Sequence, residues 1–124
     1  MLNHPCPCGS GTSYADCCGR LHRGEATADT AEQLMRARYA AYALGETDYV
    51  FRTWHPRTRP DDVTSDGTAW TGLEVLDATD GGAEDDTGEV EFVAHHTHGS
   101  MHERSRFERR RGRWVYVDGD VLSG

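Results

Sequence analysis

All four cysteines of the 124-residue chain lie near its N-terminus, in the run CPCGSGTSYADCCG. Their spacing is C-x-C, eight residues and then C-C. A disulfide between the last two would be strained, because adjacent Cα atoms are about 3.8 Å apart and bridges span about 4.4–6.8 Å. Two close thiolate pairs across a short loop are instead typical of a tetrahedral Zn²⁺ site. The sequence therefore predicts one structural Zn²⁺ held by four ligands: Cys6, Cys8, Cys17 and Cys18.

Nearby side chains leave one alternative ligand set open. His4 or His22 could replace one sulfur, because two successive residues rarely both bind the same ion. We favour four cysteines, which would form a closed site with no open position for a substrate or an activated water. Arg20 and Arg23 lie close enough in sequence to offset the charge of about −2 that four thiolates leave on Zn²⁺.

The cysteine run resembles the SEC-C motif, a zinc-binding segment of the form C-x-C, eight residues and then C-C or C-H. Ser10, Gly11 and Tyr14 also stand where that motif prefers them. The resemblance implies metal binding, but it implies no activity, since such motifs accompany many unrelated proteins. We call residues 1–24 the N-terminal knuckle.

Composition sets limits on the rest of the chain. Hydrophobic residues make up 36% and charged residues 27% of the sequence, which is ordinary for one globular domain. The formal charge of −8 disfavours non-specific binding to nucleic acid or anionic lipid. The start MLNHPCPC lacks the basic and apolar regions of a secretory signal. We therefore expect a cytoplasmic protein with no membrane partner.

An amphipathic helix is predicted in TAEQLMRARYAAYALG, with Thr30 as N-cap and Gly45 as its stop. Spacing of about 100° per residue gives a broad apolar arc, formed by Leu34, Met35, Ala37, Tyr39, Ala41, Tyr42 and Leu44. Arg38 falls inside this arc. In the interpretation we favour, its head reaches water or pairs with an acid of the sheet, such as Glu103. The alternative is a cation aimed into a pocket, where it could hold an anion. A second short helix is predicted from Thr47 to before Pro56, burying Val50, Phe51 and Trp54.

Four strands are predicted after Thr68, in TAWTGLEVLDAT, GEVEFVAHHTH, SMHERSRFERR and RWVYVDG. Two-residue turns at Gly99–Ser100 and Arg111–Gly112 would set the register. Three opposed pairs follow, namely Phe92 with Phe107, Phe107 with Tyr116, and His96 with Glu103. One face, carrying these aromatic residues, should pack against the helices, and the other, carrying Arg104 and Arg106, should meet solvent or a partner.

Helices followed by a curved antiparallel sheet predict an α+β cone. The chain also resembles the YchJ family, in the segments LMRARYAAYALG, TWHP, WTGLEVL, GEVEFVA and HERSRFERRRGRWVYVDG. That resemblance implies a nuclear-transport-factor-2-like domain with a pocket between helix and sheet, and it implies no particular activity. The predicted division is a SEC-C segment over residues 1–24 and the α+β domain over residues 25–124.

Three functions follow from these features. The first is a non-enzymatic adaptor whose knuckle contacts a protein partner. The second is a small-ligand-binding protein or acid–base enzyme that uses the cone pocket, with the candidate residues Arg38, His55, Trp70, His96, Glu103, Ser105 and Tyr116. The third, which we rank last because the protein is acidic, is RNA binding through the basic run ERRRGRW.

Overall fold

The computed structural model describes residues 4–64 and 67–123, so the first three residues of the knuckle lie outside the described part. The chain begins with a 3₁₀ turn over Tyr14–Asp16. Three helices follow, α1 (Cys18–His22), α2 (Ala31–Leu44) and α3 (Thr47–Arg52). The strands are β1 (Trp70–Asp80), β2 (Thr87–His96), β3 (Gly99–Arg110) and β4 (Arg113–Ser123). Within these residues, no helix combines the length and the apolar character needed to cross a membrane.

Helix α2 has the boundaries that the sequence predicts. The Thr30 hydroxyl accepts a hydrogen bond from the Gln33 amide at 3.0 Å, and Gly45 ends the helix in the left-handed conformation with a φ of 77°. Ala40, which lies outside the predicted apolar arc, is also fully buried. At the other end, Tyr42 and Leu44 are exposed. The difference arises because α1 and α3 also pack against α2, which is therefore covered on more than its sheet-facing side.

The four strands form one antiparallel sheet in the order β1-β2-β3-β4. The turn at Arg111–Gly112 and the pair Phe107–Tyr116 are confirmed. The turn at Gly99–Ser100 is wrong, because His96 pairs with Gly99 and the loop is Thr97–His98. Phe92 therefore lies opposite Glu103, and His96 does not.

This register error moves partners by an even number of residues, so the two faces of the sheet stay as predicted. The helix-facing side forms the core with α2, through Val90, Phe92, Ala94, Phe107 and Trp114. The opposite face carries ion pairs around Arg104 and Arg106.

Helix α3 is shorter than predicted and ends at Arg52. Val50 is buried as predicted, whereas Phe51 and Trp54 are half-buried and Tyr49 is buried instead. The chain leaves the helix early because it turns to run beside β4, where Trp54 and Tyr116 form a parallel bridge. The segment is held to β4 by hydrogen bonds from the His55 amide to the Tyr116 carbonyl at 2.8 Å and from the Thr58 hydroxyl to the Val117 carbonyl at 2.6 Å.

Candidate metal centre and cone cavity

The four cysteine sulfurs converge on one point. The Sγ atoms all lie within 4.8 Å of one another. Those of Cys8 and Cys17 are 3.7 Å apart, and those of Cys17 and Cys18 are 4.0 Å apart. Zn–S bonds of about 2.3 Å in a tetrahedron place sulfurs about 3.8 Å apart. The cluster therefore has the size and the donor set that a metal ion such as Zn²⁺ requires, and all four thiols are free of disulfides.

The cluster is largely closed to solvent. Cys6, Cys8 and Cys18 are buried, while Cys17 is half-buried and its Sγ lies 3.1 Å from the Ser10 hydroxyl. Thiol contacts from Cys18 and then Cys6 lower the pKa of Cys8. The same neighbours raise the pKa of Cys18, chiefly because its thiol is hydrogen-bonded to Cys6 and then to Cys8. A metal ion binds cysteine as the thiolate, so metal binding at this cluster would release protons.

The local backbone explains how so short a segment gathers four sulfurs. Pro5 pairs with Ser13 across a small loop, and the Cys6 amide donates to the Thr12 carbonyl at 2.9 Å. Gly9 and Gly11 have φ angles of 80° and 84°, which L side chains rarely adopt. These turns place Cys6 and Cys8 against the sulfurs at the start of α1.

The alternative histidine ligands lie elsewhere. Neither belongs to the sulfur cluster found in the described residues. His22 donates from Nε2 to the Ala37 carbonyl at 2.8 Å and accepts from the Tyr14 hydroxyl at 2.6 Å. His22 therefore braces the knuckle against α2.

Two arginines complete this brace, and sequence spacing did not reveal them. Arg36 of α2 donates to the Cys8 carbonyl at 2.7 Å. Arg52 of α3 donates to the His22 carbonyl at 2.8 Å. The two arginines predicted to balance the thiolates bind other groups, since Arg20 contacts the Asp16 carbonyl and Arg23 contacts Glu25.

The buried brace predicts a pH effect on stability. Burial lowers the pKa of His22, against an opposing hydrogen bond from Nε2 to Ala37 and the nearby Glu46 carboxylate, while Arg52 adds to the decrease. In the unfolded chain His22 has its ordinary pKa of about 6.5, so below that pH it binds a proton more readily than in the folded chain. The free energy of unfolding should therefore fall as the pH drops below about 6.5.

The measurement is the free energy of unfolding between about pH 5 and pH 8, at saturating Zn²⁺, for the wild type and His22→Gln. We expect a shallower loss on the acidic side in the variant, because glutamine can still donate to Ala37 but does not titrate. Both proteins would lose Zn²⁺ in acid to the same extent, so that effect cancels in the comparison. If the free energy of unfolding falls equally with pH in both, the assignment to His22 is contradicted.

A cavity of about 250 Å³ lies between α2 and the concave face of the sheet. Its walls are mainly aromatic, formed by Tyr39, Tyr42, Trp54, Trp70, Phe92, Phe107 and Tyr116. Arg38 and Glu103 are the only charged side chains among the described residues that line it. The indole N–H of Trp54 is buried there and has no hydrogen-bond partner in the described part of the chain.

Arg38 is buried, with 6% of its surface exposed. Its Nη1 donates to the Val50 carbonyl at 2.8 Å and to the Thr53 hydroxyl at 2.9 Å. Its Cζ lies 5.0 Å from the centre of the Trp54 ring and 4.5 Å from that of Tyr116. Arg38 is buried from water and forms no ion pair with Glu103 or another acid of the described residues, so both parts of the favoured interpretation are wrong. Burial lowers the pKa of Arg38.

Glu103 lies at the other pole of the cavity. Its Oε2 accepts a hydrogen bond from the Ser105 hydroxyl at 2.6 Å and from the Tyr116 hydroxyl at 3.4 Å. Burial and then the Glu103 charge raise the pKa of Tyr116, which keeps that phenol protonated as a donor.

The structure brings together five of the seven pocket candidates: Arg38, Trp70, Glu103, Ser105 and Tyr116. His55 is not in the lining, and its Nδ1 accepts from the Arg57 amide at 3.0 Å. His96 is also outside it and packs edge-on against Trp70 at 5.4 Å between ring centres. Sequence analysis did not name several aromatic residues of the lining as pocket candidates, among them Tyr39, Tyr42 and Trp54. Trp54 reaches the wall because α3 ends early and the chain then runs beside β4.

These features define an α+β domain of the nuclear-transport-factor-2-like class that carries an N-terminal cysteine cluster. The sequence matches the SEC-C motif over residues 3–20 and the family "YchJ, middle NTF2-like domain" over residues 30–119. The chain therefore belongs to the YchJ family.

Relatives and solved structures agree with this assignment. A UPF0225 protein of Streptomyces coelicolor is 58% identical, over 98% of this chain and 99% of that protein. The solution structure of a SEC-C motif containing protein from Rhodopseudomonas palustris is similar, with 38% identity, a TM-score of 0.82, and coverage of 98% of this chain and 100% of that chain. A crystal structure of another such protein, from Psychrobacter arcticus, has 28% identity and a TM-score of 0.77, covering 100% of this chain and 85% of that chain.

Proposed function

We propose that the cysteine cluster binds one Zn²⁺ as a structural ion. The support is the convergence of four thiols within 4.8 Å, three of them buried, on a segment that hydrogen-bonds to α2. Four thiolates saturate tetrahedral Zn²⁺, so the ion would hold the fold and would not bind a substrate. Reduced thiols also favour the cytoplasm as the location, because disulfides persist mainly in oxidising compartments.

We propose further that the protein is a non-enzymatic binding protein whose cone cavity holds a small anionic ligand. The observation that carries this proposal is Arg38, a buried guanidinium that lines the cavity and bonds only neutral groups among the described residues. A buried charge is costly unless an opposite charge pairs with it. A small anion entering the cavity would supply that partner.

The corrected register of β2 and β3 removes the main support for catalysis. The proposed acid–base pair needs His96 close to Glu103, but His96 pairs with Gly99 and Phe92 lies opposite Glu103. In the described part of the cavity lining, no histidine is present. Binding alone is therefore the function that the geometry favours.

A protein partner of the knuckle is the second candidate. It is favoured by a groove that runs from Cys17 and Ser10 to the start of α2, where Thr30 and Arg36 lie. RNA binding has less support, because Arg109 bonds the carbonyls of Gly82 and Ala83 in the β1–β2 loop. We therefore keep RNA binding as the last of the candidate functions.

The test is a screen of small anions, cations and neutral compounds of similar size against the zinc-loaded protein, followed by amide NMR titration of the hits. Because Trp54 and Trp70 line the cavity, intrinsic fluorescence can serve as the first readout. We expect the hits to be anions whose shift changes map to the cavity walls. A screen in which no anion perturbs those residues would contradict the proposal.

A further inference from the structure

The cavity has two poles of opposite charge, and one side chain connects them. The Tyr116 ring lies beneath the Arg38 guanidinium, with 4.5 Å between Cζ and the ring centre. The hydroxyl of the same residue reaches Glu103 Oε2 at 3.4 Å. Tyr116 therefore contacts both poles, the cationic one through its ring face and the anionic one through its hydroxyl.

We infer that the cavity binds an aromatic carboxylate that carries a hydrogen-bond donor at the far end of its ring, with Arg38 holding the carboxylate and Glu103 the donor. This inference rests on the proposed function and names the ligand class for the same cavity.

The Arg38 pole selects a carboxylate. Among described residues its hydrogen bonds all come from Nη1, so the edge formed by Nε and Nη2 remains for the ligand. That planar edge matches the two oxygens of a carboxylate. A phosphate dianion would call for further donors or a second cation, and the described lining contains no other basic side chain.

The aromatic walls of the cavity favour a ligand built on one aromatic ring. Aromatic side chains dominate the lining, and pairs of rings prefer offset or edge-to-face contact. The volume of about 250 Å³ is below the roughly 300–1,000 Å³ of drug-sized pockets. A single substituted ring is therefore the fitting size.

The Glu103 carboxylate favours a hydrogen-bond donor at the end of the ligand ring that lies away from Arg38. Its Oε2 already accepts from Ser105 and Tyr116, while Oε1 makes no hydrogen bond to a described residue. A carboxylate oxygen can only accept, so the complementary ligand group is a hydroxyl or an amine. The para position of a benzoate ring places such a group at the end of the ring opposite the carboxylate.

The test is calorimetric titration of the zinc-loaded full chain with 4-hydroxybenzoate, 4-aminobenzoate, benzoate, 4-hydroxybenzamide, phenyl phosphate and cyclohexanecarboxylate. We expect the first two to bind most tightly. Benzoate and 4-hydroxybenzamide should each bind about ten- to a hundredfold more weakly, the factor that a hydrogen bond to a charged group supplies.

Substitutions at Arg38 and Glu103 test which ligand group each residue binds. Arg38→Met should weaken the binding of 4-hydroxybenzoate about ten- to a hundredfold and leave the binding of 4-hydroxybenzamide nearly unchanged. Glu103→Gln should reduce the preference for 4-hydroxybenzoate over benzoate. Arg110→Met, an exposed arginine at the β3–β4 turn, is the matched control and should change neither affinity. The ligand series on the wild type decides the question even where Arg38→Met does not fold.

The outcomes separate the inference from the function on which it rests. Equal affinity for 4-hydroxybenzamide and 4-hydroxybenzoate would overturn the inference. Tighter, Arg38-dependent binding of phenyl phosphate or cyclohexanecarboxylate would also overturn it, while the cavity would remain an anion site. Binding of none of the anions would contradict both.

Discussion

Cys8→Ser is expected to abolish zinc binding and to unfold the N-terminal knuckle. Cys8 is fully buried at the centre of the cluster, with its Sγ 3.7 Å from that of Cys17. Binding of structural Zn²⁺ contributes on the order of 10 kcal/mol in small domains, far more than a segment of about twenty residues can gain from its own core. Loss of the metal should also release the contact from Arg36 to the Cys8 carbonyl and expose α2.

The measurement combines metal analysis of the purified variant with amide hydrogen exchange. We expect zinc to fall from one per chain to near zero, and fast exchange to appear in the knuckle and at the exposed side of α2. The matched control is Ser10→Ala, which removes a hydroxyl 3.1 Å from Cys17 Sγ but no ligand, and should keep its zinc. Stoichiometric zinc and unchanged exchange in Cys8→Ser would contradict the assignment.

Phe107→Ala should destabilise the α+β domain by about 3–5 kcal/mol, the range for a fully buried aromatic residue cut to alanine. Phe107 is 2% exposed and lies on β3, between Gly88 of β2 and Tyr116 of β4. Its ring centre is 5.8 Å from that of Tyr116. The whole domain is expected to have only about 5–15 kcal/mol of stability, so the loss is a large share.

Chemical denaturation of the zinc-loaded protein measures this loss. Leu76→Ala on β1 is the control, since its side chain is 51% exposed and exposed substitutions usually change stability by no more than about 0.5 kcal/mol. A cost for Phe107→Ala below about 1 kcal/mol would show that the concave face is not the main core.

The sequence was sufficient where local chemistry decides the structure. The Thr30 cap and the Gly45 stop fix α2, because capping depends on residues within a few positions of each other. The cysteine spacing likewise predicted which four sulfurs converge. The alternation of side chains gave the faces of the sheet, since that pattern survives an even shift in register.

Long-range pairing was not predictable in the same way. A glycine beside a turn does not say whether it belongs to the loop or to the first strand position, and Gly99 belongs to β3. The pairing of His96 with Glu103 depended on that choice. The brace from Arg36 to Cys8 joins residues 28 positions apart, and no periodicity connects them. Arg38 is anomalous in its helical position, but only the fold shows that no carboxylate of the described residues forms an ion pair with it.

X-ray absorption at the zinc edge of the purified, unmodified protein, with the metal quantified per chain, would show whether the four cysteines hold a zinc ion. We expect one zinc ion per chain, surrounded by four sulfur atoms at about 2.3 Å. A folded protein without zinc, or zinc bound by nitrogen or oxygen in place of one of the sulfurs, would contradict it.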